Sequence, residues 1–227
     1  MKKHITSQFK KGFTILEMLM VLAIFGIITA VVMFNYGEFN SKTIMSNMAY
    51  EVALSVRQAQ VYSLSVRGEA NNNNFDNNYG VYFNTSNPKD FAFFIDRAQS
   101  TSVDPNGICD TGGIECLACE SQGGGTECLE KITLTRDVTI ERLCTSSDLN
   151  PVDEETGVCA GQDGDDVSDL TVTFKRPNPE AIVTVGGSQI SGASAGIVLT
   201  TSYGNRRAII IKPTGQISVQ VIEDNSN

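Results

Sequence analysis

The chain has 227 residues, 41% of them apolar, which is ample for one compact core in addition to a membrane segment. Its formal net charge is −9; residues 1–12 hold four lysines and no acid, so residues 13–227 carry −13. So acidic a body argues against broad, non-specific nucleic-acid binding.

The first element is a basic leader followed by an apolar run. Lys10, Lys11 and Gly12 lead into Phe13, and the run ends near Phe34. Across the 22 residues 13–34 the polar side chains are Thr14, Glu17 and Thr29. As a helix this spans about 33 Å, enough to cross a bilayer core. Lysines before the run keep the N-terminus cytoplasmic and place the rest of the chain outside. The carboxylate of Glu17 is the anomaly. A charge at bilayer depth costs on the order of 2.5–3.5 kcal/mol on insertion scales, so it marks function and needs a cationic partner. The flanking lysines are one candidate. Cutting after Gly12 supplies another, a new amine on Phe13, four residues from Glu17 on one helix face or offered by a neighbouring subunit. An uncleaved signal anchor is the plain alternative. A secretory signal cut after Ala30 fits poorly, because Ile28-Thr29-Ala30 is not a small-x-small site and the apolar region holds an acid.

Lys10, Lys11, Gly12, Phe13 and Glu17, with the apolar run, resemble the class III signal of type IV pilins and type II secretion pseudopilins. The resemblance covers about residues 10–36. It implies a prepilin peptidase that cuts between Gly12 and Phe13 and methylates the Phe13 amine. It also implies that Glu17 guides assembly of subunits into a helical filament.

The helix is expected to continue to about residue 67, since no proline occurs before Pro88. Ile44, Met48, Val52, Val56, Ala59 and Val66 recur at helical spacing, widened by Met45 and Tyr62, and predict a face packed on a globular domain. Gly26 and Gly37 are soft points, and Arg67-Gly68 marks the helix end. The asparagines of 71–74, with Asn77 and Asn78, read as a loop. Short strands follow at 79–83, 91–96, 131–135, 138–143, 170–174, 181–185, 196–201, 207–211 and 216–222. Turns at Tyr203-Gly204-Asn205 and Pro213-Thr214-Gly215 make the last three a meander. The stretch SVRQAQVY at 55–62 and the closing hairpin with its Pro-Thr-Gly turn are similar to the minor pseudopilin H group, which includes minor pilins.

Every cysteine lies in two acidic insertions. Residues 98–130 hold six acids, no Lys or Arg, and Cys109, Cys116, Cys119 and Cys128. Residues 143–174 hold eight acids, no Lys or Arg, and Cys144 and Cys159. An even count in an exported domain reads as disulfides. A Cys144–Cys159 bridge would stabilise by about 3 kcal/mol on the chain-entropy model; the other four allow three pairings. Zinc is the rival, from Cys116-x-x-Cys119, but no second such pair exists and the single histidine, His4, is in the leader. Asp163, Asp165, Asp166 and Asp169 around Gly164 could supply calcium ligands; their spacing is not that of an EF-hand, and a solvated acidic loop accounts for them more simply. Without the leader no histidine remains for a Ser-His-Asp or Cys-His site, and Gly123–Gly125 has no following lysine to cradle phosphate.

The sequence therefore predicts an α+β protein. It has a leader 1–12, a helix 13–67 whose segment 13–34 is the membrane span and filament core, and an extracytoplasmic β-rich domain 68–227 of mainly antiparallel sheet or sandwich. The function expected is a non-enzymatic minor pilin or pseudopilin of a type IV pilus or type II secretion pseudopilus. It would be anchored in the cytoplasmic membrane and then built into the filament, with prepilin peptidase, an inner-membrane assembly platform and other pilin subunits as partners. No cofactor is expected, calcium being the exception weighed above. The alternative is a DNA-binding minor pilin of a transformation pilus, using Arg206, Arg207 and Lys212; residues 175–227 carry five bases against three acids.

Overall fold

The computed structural model describes residues 12–65, 77–97, 107–109, 116, 119, 127–160 and 164–222. The chain divides into two compact units, Met1–Asn40 and Ser41–Asn227. Helix α1 is Ile15–Leu64, rather than 13–67. Gly12, Phe13 and Thr14 precede it. The expected C-terminal signal at Gly68 and the asparagine cluster 71–74 lie outside the described residues.

In the second unit, α1 packs on two antiparallel sheets. The strands, in chain order, are β1 Asn78–Asn84, β2 Asp90–Asp96, β3 Cys128–Thr133, β4 Thr139–Ser146, β5 Asp165–Val167 and β6 Asp169–Phe174. Then come β7 Ala181–Val185, β8 Ser188–Ile190, β9 Ser194–Thr200, β10 Arg206–Ile211 and β11 Ile217–Ile222. Six strands form one sheet in the order β3-β2-β1-β6-β7-β8, and five form the other in the order β11-β10-β9-β4-β5. The expected meander is β9-β10-β11. The acidic stretch 143–174 is not one insertion, because β4 runs on to Ser146, β5 pairs with it, and β6 enters the first sheet.

Strand periodicity explains the core. Tyr79, Val81 and Phe83 alternate inward on β1, as do Phe91, Phe93 and Ile95 on β2 and Leu170, Val172 and Phe174 on β6. Ala195, Ile197 and Leu199 of β9 and Ile209 and Ile211 of β10 do so from the second sheet. On β4, Ile140 and Leu143 are three apart yet both face the core, because a bulge between Ile140 and Arg142 resets the alternation. Met45, Val52, Val56 and Ala59 of the predicted helical stripe complete this core from α1, joined by Ala49, which the stripe did not include; Ile44, Met48 and Tyr62 pack against it partly buried, and Val66 lies outside the described residues.

Hydrogen bonds fix the helix at both ends of its packed segment. Ser41 donates to Thr201 Oγ1 at 3.1 Å and accepts from Asn205 Nδ2 at 3.2 Å. At the other end Gln60 is buried, and its Nε2 donates to the carbonyls of Pro179 (2.9 Å) and Gly215 (3.0 Å). Gly215 has φ +79°, and a Cβ there would overlap the Pro179 carbonyl and the Gln60 amide. That close approach requires glycine at the turn.

Candidate functional site

The first unit presents the N-terminal signal. Thr14 caps α1, its hydroxyl accepting from the Glu17 amide at 3.2 Å and its carbonyl from the Met18 amide at 3.2 Å. Thr14 and Glu17 thus have the spacing of a capping box, with the acid in the first helical turn. Its charge also complements the positive N-terminal end of the helix dipole. The cap moves the helix start beyond Phe13. Phe13 and Glu17 therefore do not share a helix face, because Phe13 lies ahead of the cap. Gly12 and Phe13 form a short non-helical entry before the first turn.

Ile15–Phe34 is long and apolar enough to cross a membrane, and none of it is buried within the protein. Phe13 is 79% exposed and Phe34 88%. Thr29 donates to the Phe25 carbonyl at 2.8 Å, which satisfies its hydroxyl inside the helix. Between Lys11 and Lys42 the sequence has no Lys or Arg, so no basic side chain of this span can neutralise Glu17. Lys10 and Lys11 lie outside the described residues.

The cysteines pair as Cys109–Cys116, Cys119–Cys128 and Cys144–Cys159. Cys116 and Cys119, the proposed zinc pair, go to different partners. The bridges do not staple the main core. Cys144 and Cys159 pack with Val152, Val198, Ala208, Ile210 and Ile222 on the opposite face of the second sheet. Cys109, Cys116, Cys119 and Cys128 pack with Ala92 and Tyr82 on the corresponding face of the first. Each cysteine group therefore fixes a cover over the outer face of one sheet. On the second sheet the approach is so close that a Cβ at Gly196 would meet the Val152 and Pro151 side chains.

The acidic candidates are spread apart. Asp165 and Asp166 lie on β5 of the second sheet, where Asp166 pairs with Arg142 at 3.3 Å. Asp169 begins β6 of the first sheet and accepts from the Gly186 amide at 2.9 Å. Asp163 lies outside the described residues. Among the described residues no group of three His, Cys, Asp or Glu is placed to hold a metal ion.

The basic candidates do not converge either. Arg206 and Arg207 open β10 and, as neighbours on a strand, point to opposite faces; Lys212 follows its far end. Arg206 sits beside Glu141 at 2.9 Å, in ionic contact but off the hydrogen-bonding line, and its guanidinium also donates to the Thr156 carbonyl at 3.4 Å.

Sequence reasoning missed two roles. Thr14 as cap was readable from the Thr-x-x-Glu spacing. Gln60 was not: its two carbonyl partners are 119 and 155 residues away, and local spacing carries no signal for them.

Residues 8–33 match the family model described as the prokaryotic N-terminal methylation motif. The chain thus carries the class III signal of type IV pilins. The motif supports a type IV pilin-like or pseudopilin-type subunit and implies processing by prepilin peptidase and assembly with other pilin subunits. Proteins built on it are structural rather than catalytic, and the apolar helix fits membrane anchoring followed by filament assembly. Comparison with curated proteins and with solved structures gives no significant match.

Proposed function

We propose that this chain is a minor pilin or pseudopilin, cut between Gly12 and Phe13, methylated on Phe13 and drawn into a filament through α1. The observation that carries the reading is the arrangement at the head of the helix. The Gly12–Phe13 bond lies just ahead of the Thr14 cap, in non-helical chain that a peptidase can hold extended. Immediately beyond it stands a wholly exposed apolar helix with one acid in its first turn.

The chemistry follows from that placement. Cleavage creates a cationic amine at Phe13 where the span previously had no positive charge. A neighbour's amine neutralises Glu17, and the contact sets the axial register of one helix on the next. The apolar surface of 13–34 leaves lipid for the company of other such helices. The disulfide-fixed covers and the length of the second unit favour a minor subunit over the bulk one.

The test compares wild type with Glu17→Ala and Glu17→Gln, by immunoblot of membrane and sheared-filament fractions. Both variants should insert and be cleaved normally, since the scissile bond is untouched. Both should fall sharply in the filament fraction. Equal amounts of all three forms there would remove the carboxylate from the mechanism.

A further inference from the structure

The two sheets end in the edge strands β3, β8, β11 and β5, and three of these edges are blunted. β5 and β8 have three residues each, and β5 is acidic through Asp165 and Asp166. β3 carries Glu130 and Lys131, and its register with β2 slips between Phe93 and Phe94. β11 has none of these defences: its six residues, Ile217–Ile222, include no charge and no proline. Short, charged or bulged edges resist pairing with another chain, whereas a longer neutral edge invites it. The open side of β11 follows from its turn. The Lys212 amide donates to the Gln216 carbonyl at 2.9 Å, which closes the hairpin on that pair. In the register that runs from Ile211↔Ile217 to Arg206↔Ile222, alternation then bonds Ser218, Gln220 and Ile222 to β10. The amides and carbonyls of Ile217, Val219 and Val221 point the other way and have no partner among the described residues. Beside Ile217 lies a groove of about 410 Å³, walled by Tyr50, Ala53, Leu54 and Arg57 of α1 and by Gln216. Helix and hairpin meet just beyond Arg57, where Gln60 donates to the Gly215 carbonyl at 3.0 Å. A strand added to β11 therefore has to stop at this end.

We infer that this edge binds the C-terminal residues of another protein as an added strand, antiparallel to β11, with an apolar last side chain in the groove and the terminal carboxylate on Arg57. Direction and charge select that occupant. Arg57 is exposed, donates to the Gln60 side-chain oxygen, and makes no ion pair among the described residues. An antiparallel strand ends beside Ile217 with its carboxylate, which a guanidinium takes through two parallel hydrogen bonds. A parallel strand would bring its amino terminus there, cation against cation. Main-chain bonds to Ile217, Val219 and Val221 supply affinity, and the groove reads the last side chain. A second copy pairing β11 with β11 would leave the groove and Arg57 unused. The inference stands on the second unit alone and does not require the filament reading.

The test uses the full-length protein in detergent micelles and a library of random heptapeptides displayed with free C-termini on a carrier. Selection should enrich peptides with an apolar last residue. The enriched peptides are then synthesised as free acids and as C-terminal amides. By fluorescence anisotropy the acids should bind at least about tenfold more tightly than the amides, the scale of a charged hydrogen bond. Arg57→Ala should erase that difference. Val221→Pro removes an outward amide and no bond to β10, at a residue 54% exposed, and should weaken acids and amides alike. On binding, amide exchange should slow at Ile217, Val219 and Val221 but not at Ser218 or Gln220. Because Arg57→Ala also releases Gln60, the melting transition of each variant is recorded, and where it shifts, the acid–amide comparison on the wild type and the exchange pattern decide. No enrichment, equal binding of acid and amide, or an acid preference that survives Arg57→Ala would overturn the inference. So would unchanged exchange at Ile217, Val219 and Val221, or their protection by a second copy without peptide.

Discussion

Replacing Gln60 should loosen the helix from both sheets at one stroke. Its amide donates to Pro179 in the turn between β6 and β7 and to Gly215 in the turn between β10 and β11, and its oxygen accepts from Arg57. The residue is 3% exposed and Gly215 is buried, so water cannot replace the donor lost there without local opening, whereas Pro179 is exposed and water can reach its carbonyl. Leaving a buried carbonyl without a donor costs about 1–3 kcal/mol. Gln60→Ala should therefore cost about 1–3 kcal/mol, set mainly by Gly215. With a urea slope of about 2 kcal/mol/M, the unfolding midpoint falls by roughly 0.5–1.5 M. Gln60→Glu should be worse, since a carboxylate would then face two carbonyl oxygens. The assay is equilibrium urea unfolding of the unit Ser41–Asn227, with Gln58→Ala as control, because Gln58 is on the same helix and exposed. A Gln60→Ala midpoint indistinguishable from that control would refute the reasoning.

Replacing Cys144 and Cys159 together by serine should cost about 3 kcal/mol for a 15-residue closure and expose the outer face around Val198 and Ile210, read as new binding of an apolar dye; an unchanged midpoint would mean the cover holds without its bridge. Gly215→Ala should destabilise the same turn that Gln60 holds, since the positive φ and the overlap with Pro179 both oppose a side chain, and a wild-type melting curve would contradict the packing there. Burial raises the Asp90 pKa, but hydrogen bonds from Lys131 and Thr133 and the Lys131 charge outweigh it and hold the carboxyl below its ordinary value. A depressed folded pKa contributes stability that is fully present above the unfolded value and is lost as pH falls through the folded one. Lys131→Ala should therefore flatten the acid limb of the stability curve by less than about 1 kcal/mol, the pair being partly exposed; an unchanged limb would dismiss the contact.

What the sequence made legible was what local spacing encodes. The buried helical stripe, the strands at 79–83 and 91–96 and the closing meander all follow from periods of 3.6 and 2. Strands β5 and β8 were not legible, having three residues each, with Asp165 and Asp166 in one and Ser188 and Gln189 in the other. Their pairing comes from the neighbouring strand rather than from any apolar period. The helix start was misplaced by two residues because the apolar run begins before the cap, and the cap decides where helical hydrogen bonding begins. The basic residues near 206–212 looked clustered along the chain, yet a strand separates them by face and by length. The cysteine pairs Cys109–Cys116 and Cys119–Cys128 needed the fold, since all three pairings of four thiols are open until the backbone brings two of them together.

The most direct test of the central claim is the intact mass of the protein extracted from membranes of cells that have an active prepilin peptidase. Removing 12 of 227 residues leaves 215. The account predicts that 215-residue chain, beginning at Phe13 and heavier by one methyl group, with fragmentation placing the methyl on the Phe13 amine. A chain that still begins at Met1, or one cut at Ala30, would contradict it.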